Sequence, residues 1–229
     1  MVGGGPNVRI GCAVIIMNPE GRILMNKRQG SHGEGEWAFP GGHLDMGESL
    51  RNCAEREVLE ETDLNIKGVA MKIIAVTADV WDVKDWSYTT NFIFCTYDNS
   101  SPAAQQPKIK EPSKCTEWAW VSPVTLRTWV ENQREKKKGW ESNAIFLPIL
   151  NLFRWRKYVD LSKPNQLVGL DLPADEDAYH EGVPGFVRPE QSEESEANQV
   201  IPEVPIGKYG NALSEEDRPV IPQPSEKDK

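Results

Sequence analysis

The chain has 229 residues, a formal net charge of −9 and a sequence pI near 5.0. That length suits one domain of ordinary size, and the acidic balance argues against binding to a nucleic acid polymer, which needs Lys and Arg spread over a large face. The charge is uneven: residues 171–229 carry 15 acidic and 5 basic side chains, so residues 1–170 have a net charge of +1. No apolar run approaches the roughly 18 residues of a membrane span, so we expect no membrane partner.

The cysteines and histidines indicate a reduced compartment and no zinc site. The four cysteines stand far apart with no CxxC pair, and the N-terminal sequence MVGGGPNVRI lacks the apolar stretch of a secretory signal. We therefore expect an intracellular protein of the cytoplasm, with the nucleus left open. The histidines are too scattered for a zinc set, and the cysteines are expected to be buried small side chains, so neither zinc nor thiol catalysis is predicted.

The first predicted elements form a β-hairpin and a short strand. Residues Val8 to Met17 are rich in β-branched side chains, and the turn sequence NPEG at 18–21 leads to RILMNKR, in which apolar and polar residues alternate. A Gly-rich loop at 30–36 precedes the apolar segment WAFP, which predicts a strand that ends in a loop at GGHL.

A helix is predicted from Ser49 to Thr62. The sequence SLRNCAEREVLEET contains good helix formers and neither Gly nor Pro, and its first Ser can accept hydrogen bonds from the free amides of the first turn. The apolar members Cys53, Ala54 and Val58, together with Leu50, follow the helical period and are expected to face the core.

The second half of the chain continues with strands and helices. Alternating patterns predict strands at Val69 to Val80, Tyr88 to Tyr97 and Cys115 to Val121. Helix-compatible stretches follow near Pro123 to Gln133 and Ile145 to Tyr158. Strands combined with helices on both sides predict an α/β fold, in which a mixed sheet lies between helices.

The C-terminal part differs from the rest in composition. After about Leu170 it is rich in Pro, Glu, Ser and Asp with few aromatic residues, so we expect a domain at 1–165 and a mostly disordered acidic tail at 166–229. Two segments of the tail, VPGFVRP and VIPEVPIGKYG, retain enough apolar residues to dock onto the domain or a protein partner.

A homodimer stays open as well. Four tryptophans lie in predicted edges or loops, where they can bury against a second copy or against their own chain. These are Trp81, Trp86, Trp129 and Trp140.

The predicted helix carries an unusual concentration of negative charge. Glu57, Glu60 and Glu61 are three and four residues apart and therefore share neighbouring positions of one face. Like charges at that spacing repel, and a hard divalent cation such as Mg²⁺, which prefers oxygen ligands, would relieve the repulsion and suit phosphate chemistry. Arg56 can hold one carboxylate by two parallel hydrogen bonds while the others bind the metal.

Two glycines precede the helix. Gly41 and Gly42 can adopt backbone conformations closed to other residues, and they allow a backbone carbonyl to approach a cation closely.

The spacing of these residues resembles the Nudix box of the Nudix hydrolase superfamily. From Gly42 to Leu64 the sequence GHLDMGESLRNCAEREVLEETDL carries glycine, acidic, basic and apolar residues at the box spacing. They are Gly42, Glu48, Arg56, Glu57, the apolar Val58, Glu60 and Glu61. The family usually has Gly where this chain has Asp63, which puts the geometry of the helix end in question, although Asp tolerates the left-handed conformation that favours Gly there.

The resemblance extends over about Val8 to Trp129. The segments LMNKRQGSHGEGEWAFPGGHLDMGES and EPSKCTEWAWV are similar to the MutT-like nucleoside triphosphate diphosphatase branch of the superfamily. The resemblance implies a mixed sheet sandwiched between helices and a Mg²⁺-dependent hydrolase, with Mn²⁺ as a substitute.

The resemblance also implies roles for the acidic residues. Glu57 and Glu61 correspond to the principal metal ligands, Glu60 binds directly or through water, and the Gly42 carbonyl completes the shell.

Other residues of the box are assigned supporting or catalytic roles. Arg56 would orient a catalytic Glu, and Glu48, like Gly41, would hold the loop and the helix together. Glu57, Glu111 and Glu117 are all open as the general base that activates water.

The substrate pocket is predicted from aromatic and polar residues near the box. Flat rings stack on nucleobases, polar neighbours select their edges, and basic side chains meet phosphates. The residues expected to bind the nucleotide are Arg28, Phe39, His43, Leu44, Tyr88, Thr89 and Trp118.

Three functions are compatible with these features. The first is hydrolysis of a canonical or oxidised nucleoside triphosphate to a monophosphate and pyrophosphate. The second is cleavage of ADP-ribose or another nucleotide sugar or dinucleotide. The third is a Nudix-fold module that binds a nucleotide without turnover, although retention of Arg56 and all three helix glutamates argues against it.

Overall fold

The computed structural model describes residues 7–30, 32–81, 86–99, 105–155 and 159–172. His180, one of the three scattered histidines, and the tail segments VPGFVRP and VIPEVPIGKYG lie outside these ranges. None of the helices in the described ranges is long and apolar enough to cross a membrane.

The described chain forms one seven-stranded sheet and three α-helices. The strands are β1 (Asn7–Met17), β2 (Ile23–Arg28), β3 (Trp37–Ala38), β4 (Met71–Val80), β5 (Trp86–Thr96), β6 (Cys115–Val121) and β7 (Leu170–Leu172). The helices are α1 (Leu50–Thr62), α2 (Pro123–Arg134) and α3 (Leu147–Trp155). The strand order is β3-β2-β1-β5-β4-β7, and β6 pairs with β2.

The predicted hairpin opens soon after its turn. β1 and β2 are antiparallel but are in register only at Met17 and Ile23, whereas β1 runs parallel to β5 along its whole length. The gap beside the first half of β1 is filled by residues 40–44: the amide of Cys12 donates to the Gly42 carbonyl at 2.9 Å, and the amide of Val14 donates to the carbonyl of Pro40 at 2.8 Å. The glycine pair is thereby fixed against β1.

Alternation along the strands builds a core on each face of the sheet. In β1, Ile15 and Met17 belong to the cluster that contains residues of α2 and α3, whereas Val14 and Ile16 belong to the cluster that contains residues of α1. The predicted mixed sheet between helices is confirmed. Trp129, one of the tryptophans considered for a dimer, stacks on Trp37 of its own chain with ring centroids 5.5 Å apart.

Helix α1 begins and ends as its sequence predicts. The Ser49 side chain accepts the amide of Asn52, and Asp63 adopts the left-handed conformation with φ of 65° while its amide donates to Leu59. Lys108 and Lys110 pair with the Asp63 carboxylate, so the Asp at this position keeps the helix end that Gly usually provides.

The fold continues beyond the predicted domain boundary at residue 165. β7 pairs with β4 in antiparallel register, and Leu167 and Leu172 are buried, one in each core cluster. Arg51 of α1 is 3% exposed and donates to the carbonyl of Leu172, which fixes the last strand to the helix. The start of the tail at 166 is therefore corrected, because these apolar residues complete the core.

Candidate active site

A cavity of about 500 Å³ lies where residues 40–44 separate β1 from β2. Its walls combine acidic, basic and aromatic side chains from the sheet, α1 and the start of α3. Among its lining residues are Arg28, Phe39, His43, Glu57, Glu61, Trp81, Tyr88, Thr90, Lys114 and Phe146. A volume of this size suits a small organic ligand.

Arg56 connects the glutamates of α1 to the loop that precedes the helix. Its guanidinium donates to both carboxylate oxygens of Glu48, at 2.8 and 2.9 Å, and to Glu57 Oε1 at 2.9 Å. It also donates to the backbone carbonyl of His43 at 3.0 Å, and a longer contact of 3.4 Å reaches Glu60. Because one planar cation fixes the loop carbonyl and two carboxylates, the orientation of Glu57 depends on Arg56.

Glu57 and Glu61 are held against the two glycines. The Glu61 carboxylate accepts the backbone amide of Gly41 at 3.0 Å. A Cβ atom placed on Gly42 would come within 2.2 Å of Glu57 Oε1, so the Glu57 carboxylate occupies the space that any other residue at position 42 would fill. The glycine pair therefore brings the carboxylates of Glu57 and Glu61 to one edge of the cavity, which we call the acidic edge.

Burial and mutual repulsion disfavour the charged forms of these carboxylates. Burial, together with the negative charges of Glu57 and Glu111, raises the pKa of Glu61 to about 8, although the hydrogen bond from the Gly41 amide opposes the change. Burial also raises the pKa of Glu57, although the hydrogen bond from Arg56 opposes this change. For Glu48 the hydrogen bonds from Arg56 dominate and lower the pKa of that carboxyl.

The site provides donors for a hard divalent cation without a ready-made cage. Among the described residues, no three His, Cys, Asp or Glu side chains are already close enough together to hold a metal. Glu57 and Glu61, two partly buried carboxylates that repel each other, fit Mg²⁺ chemistry. The Gly42 carbonyl already accepts the amide of Cys12, so one lone pair is left for the cation. Glu60 has a side chain 55% exposed and lies outside the cavity lining.

The cavity is also lined by aromatic and cationic side chains. The Arg28 guanidinium lies 4.1 Å from the centroid of the Phe146 ring, and its Nε donates to the carbonyl of His32 at 2.9 Å. Trp81 meets Tyr88 edge to face with centroids 5.2 Å apart. Burial lowers the pKa of Arg28, and the negative charges of Glu61 and Glu36 oppose the change.

His43 and Tyr88 connect the glycine loop to β5. Nε2 of His43 and the Tyr88 hydroxyl are 3.1 Å apart, and the rings lie 5.4 Å apart between centroids. Burial lowers the pKa of His43, and the nearby charge of Arg9 lowers it further. A neutral His43 can therefore act as a hydrogen-bond donor or acceptor at this wall.

The structure gathers four of the seven predicted substrate residues around the cavity: Arg28, Phe39, His43 and Tyr88. The other three do not line this cavity. Thr89 follows Tyr88 in a strand, so its side chain is on the other face of the sheet. Leu44 and Trp118 pack against the core cluster beneath α1.

Of the three candidate general bases, one lines the cavity. Glu57 lines the cavity, whereas Glu111 pairs with Lys114 at 2.8 Å and is outside the lining. Glu117 is exposed on β6, opposite Lys27 of β2.

Several lining residues are missing from the sequence-based prediction, including Trp81, Thr90, Lys114 and Phe146. For Thr90 a signal was present, because Tyr88 and Thr90 share one face of a strand whereas Tyr88 and Thr89 do not. Asn26 also lines the cavity; it is 5% exposed, and its amide oxygen has no hydrogen-bond partner within the described residues. Phe146 comes from a loop far along the chain, which no local pattern connects to the box.

Three of the four cysteines have raised thiol pKa values. The Sγ atoms of Cys12 and Cys53 are 3.2 Å apart, and this contact together with burial raises the pKa of Cys53. Burial raises the pKa of Cys95 to about 12 and also raises that of Cys115. Their reactive thiolate forms are therefore scarce at neutral pH.

Comparison with known proteins places the sequence beside nucleotide pyrophosphohydrolases. A family model described as NUDIX domain matches residues 8–144. A Mycobacterium tuberculosis protein provisionally named 8-oxo-dGTP diphosphatase 3 is 34% identical over 90 residues, which are 36% of this chain and 42% of that protein. The RNA pyrophosphohydrolase of Vibrio cholerae is 37% identical over 73 residues, 32% of this chain and 40% of that protein. The chain thus spans about two fifths of the length of these relatives.

A solved structure has a similar but distant backbone. The MutT protein from Methanosarcina mazei is 20% identical, with a TM-score of 0.48, and the match covers 71% of this chain and 97% of that one.

Proposed function

This chain belongs to the NUDIX domain family, and from that membership we propose that it is a Mg²⁺-dependent pyrophosphohydrolase that converts a nucleoside triphosphate to a monophosphate and pyrophosphate. The observation that carries the proposal is a single cavity whose lining combines acidic, basic and aromatic side chains. Glu57 and Glu61 line it, and so do Arg28 and the aromatic rings of Trp81 and Phe146.

The lining of the cavity suits both the base and the phosphates of a nucleotide. Aromatic rings bind a flat base by stacking. Arg28 and Lys114, which line the same space, are placed to meet phosphate oxygens. The negative phosphates would be repelled by the acidic edge, so binding there requires cations between the two sets of oxygens.

Catalysis is assigned to the residues at the acidic edge. Glu57 and Glu61, with the free lone pair of the Gly42 carbonyl, would hold Mg²⁺, which supplies charge neutralisation at the phosphate oxygens. Arg56 fixes the Glu57 carboxylate through a hydrogen bond of 2.9 Å and leaves its other oxygen available. Of the three carboxylates considered as general base, Glu57 lines the cavity and is our choice to take a proton from the attacking water.

Water attacks one phosphorus of the anhydride linkage, and the pyrophosphate leaves with the bridging oxygen. No covalent enzyme intermediate is required, in agreement with the raised pKa values of the buried thiols. Arg28 and Lys114 stabilise the negative charge that accumulates on the departing oxygens.

A substrate panel tests this proposal. Canonical and oxidised nucleoside triphosphates, ADP-ribose and a short RNA with a 5′-triphosphate would each be incubated with Mg²⁺ or with a chelator, and the products separated by ion-exchange chromatography. We expect Mg²⁺-dependent release of monophosphate and pyrophosphate from free triphosphates. Cleavage of ADP-ribose alone would instead indicate a nucleotide-sugar hydrolase.

The same panel separates an enzyme from a binding module. If the folded chain binds a nucleoside triphosphate in calorimetry but turns over no member of the panel, the proposal fails and the third function, nucleotide binding without turnover, replaces it. Where turnover is observed, Glu57→Gln tests the acidic edge, because this change removes the charge with little change in shape. Turnover that survives Glu57→Gln would remove Glu57 from the catalytic site.

A further inference from the structure

A buried carboxylate lies directly behind the cavity, outside the acidic edge. Asp79 of β4 is 0% exposed, and no Lys, Arg or His of the described residues forms an ion pair with it. Its oxygens accept hydrogen bonds from the hydroxyl of Thr77, the hydroxyl of Thr90 and the side-chain amide of Asn151. The three donors come from β4, β5 and α3, so Asp79 joins the sheet to the helix at this point.

The two carboxylate oxygens of Asp79 accept hydrogen bonds from different donors. Asn151 Nδ2 donates to Oδ1 at 2.8 Å, and Thr90 Oγ1 donates to Oδ2 at 2.5 Å. Thr77 Oγ1 is 3.0 Å from each oxygen. Thr77 and Thr90 are cross-strand partners in the β4–β5 register, which explains why both hydroxyls reach one carboxylate.

The hydrogen bond to Asp79 determines whether the Thr90 hydroxyl can donate or accept a further hydrogen bond. A hydroxyl has one proton and two lone pairs, and the proton of Thr90 is committed to Asp79. Thr90 also lines the cavity and is 6% exposed. Within the described residues its oxygen makes no second hydrogen bond, so Thr90 can accept a hydrogen bond from a ligand but has no further hydrogen to donate.

We propose that Asp79 is a positioning residue that locks Thr90 as a hydrogen-bond acceptor, and that the pair selects nucleobases that carry an exocyclic amino group. This inference rests on the proposed function. An acceptor at this place would repel phosphate oxygens, which also only accept hydrogen bonds. Thr90 shares the face of β5 with Tyr88, whose ring meets Trp81 edge to face, and we assign the ligand group that reaches Thr90 to the base.

Bases with and without the amino group should therefore bind with different free energies. A base with an amino group at this position satisfies Thr90, whereas a base without it buries the hydroxyl oxygen unpaired. Sites that hydrogen-bond a substrate N–H discriminate strongly against analogues that lack it. We therefore expect that deletion of the amino group reduces kcat/KM by about tenfold or more.

The first experiment uses substrates that differ by one amino group. The pairs are GTP with ITP, which lacks the 2-amino group, and ATP with the triphosphate of purine riboside, which lacks the 6-amino group. The wild-type enzyme should lose about tenfold or more in kcat/KM within one of these pairs. Ratios within twofold for both pairs would overturn the inference. Absence of turnover for all four compounds would instead mean that the proposed function fails.

The second experiment removes the Thr90 acceptor or reverses the direction of the hydrogen bond between residues 79 and 90. Thr90→Val removes the acceptor and should reduce the ratio between the paired substrates to near one. Asp79→Asn places an amide N–H₂ where Oδ2 faced Thr90, so that Thr90 accepts from position 79 and turns its own proton into the cavity. The amino-group preference should then vanish or reverse, and the change should be seen mainly in KM.

The matched control is Thr77→Val, which removes a donor to the same carboxylate by the same chemical change. Thr77 does not line the cavity, so the ratio between the paired substrates should stay as in the wild type. If Asp79→Asn keeps the wild-type ratio in a folded enzyme, or if Thr77→Val alters the ratio as much as Thr90→Val does, Asp79 has a structural role alone and the inference is wrong.

Discussion

Replacement of Gly42 by Ala tests the geometry at the acidic edge with the smallest change the chain allows. The added methyl carbon would stand 2.2 Å from Glu57 Oε1 and 2.3 Å from its carboxyl carbon, whereas ordinary contact begins near 3.4 Å. Gly42 does not have a positive φ, so Ala meets no backbone strain there. The carboxylate must therefore move by about 1.2 Å, the difference between these two distances.

A displacement of that size should reduce kcat strongly and lower the free energy of unfolding only slightly. A misplacement of about 1 Å in a catalytic group can reduce the rate by roughly 10²-fold. The weakened contact between Arg56 and Glu57 should lower the free energy of unfolding by about 1 kcal/mol. We expect Gly42→Ala to lose about 10²-fold in kcat for Mg²⁺-dependent triphosphate hydrolysis, with KM for the nucleotide altered less.

The control is Gly68→Ala, which lies in a turn after α1. Its φ is +77° and a new methyl group would meet no atom within 4 Å, so the change costs about 1–2 kcal/mol through backbone strain alone. Thermal unfolding and steady-state kinetics would be measured for both variants. Retention of kcat within threefold in Gly42→Ala, or an equal loss of kcat in Gly68→Ala, would refute the reasoning about Glu57.

Three further predictions concern the support of the site. Arg56→Lys should reduce kcat about tenfold or more in steady-state assays, because an ammonium cannot reproduce the two parallel bonds to Glu48. Arg51→Met should lower the free energy of unfolding in urea by about 2–3 kcal/mol with kcat unchanged, since it leaves buried carbonyls unpaired. A chain that ends at Lys163 should melt at lower temperature than one that ends at Leu172, because it lacks β7; equal melting temperatures would contradict the extended boundary.

Much of the fold could be predicted because its signals are local. The turn at 18–21, the alternation in β4 to β6 and the uninterrupted helix at 50–62 each specify an element within a few residues. The box spacing also predicts which carboxylates share a helix face, and the structure places Glu57 and Glu61 at one cavity. Asp63 shows the same at the helix end, where Asp adopts the conformation that Gly usually provides.

What could not be predicted depends on contacts between distant segments. The buried position of Leu172 follows from pairing with β4, about a hundred residues earlier, and a tail rich in Pro and Glu conceals that short strand. Phe146 reaches Arg28 through the packing of α3 on the sheet. The network around Asp79 joins three elements, and a sequence pattern shows an acidic residue in a strand without showing what surrounds it.

The most direct test of the central claim is product analysis of one nucleoside triphosphate, with the wild type and Glu57→Gln measured side by side in Mg²⁺ and in chelator. Equal amounts of monophosphate and pyrophosphate from the wild type, with loss in chelator and a reduction of about 10²-fold or more in Glu57→Gln, are the predicted result. Release of diphosphate and orthophosphate, or full turnover by Glu57→Gln, would contradict the account.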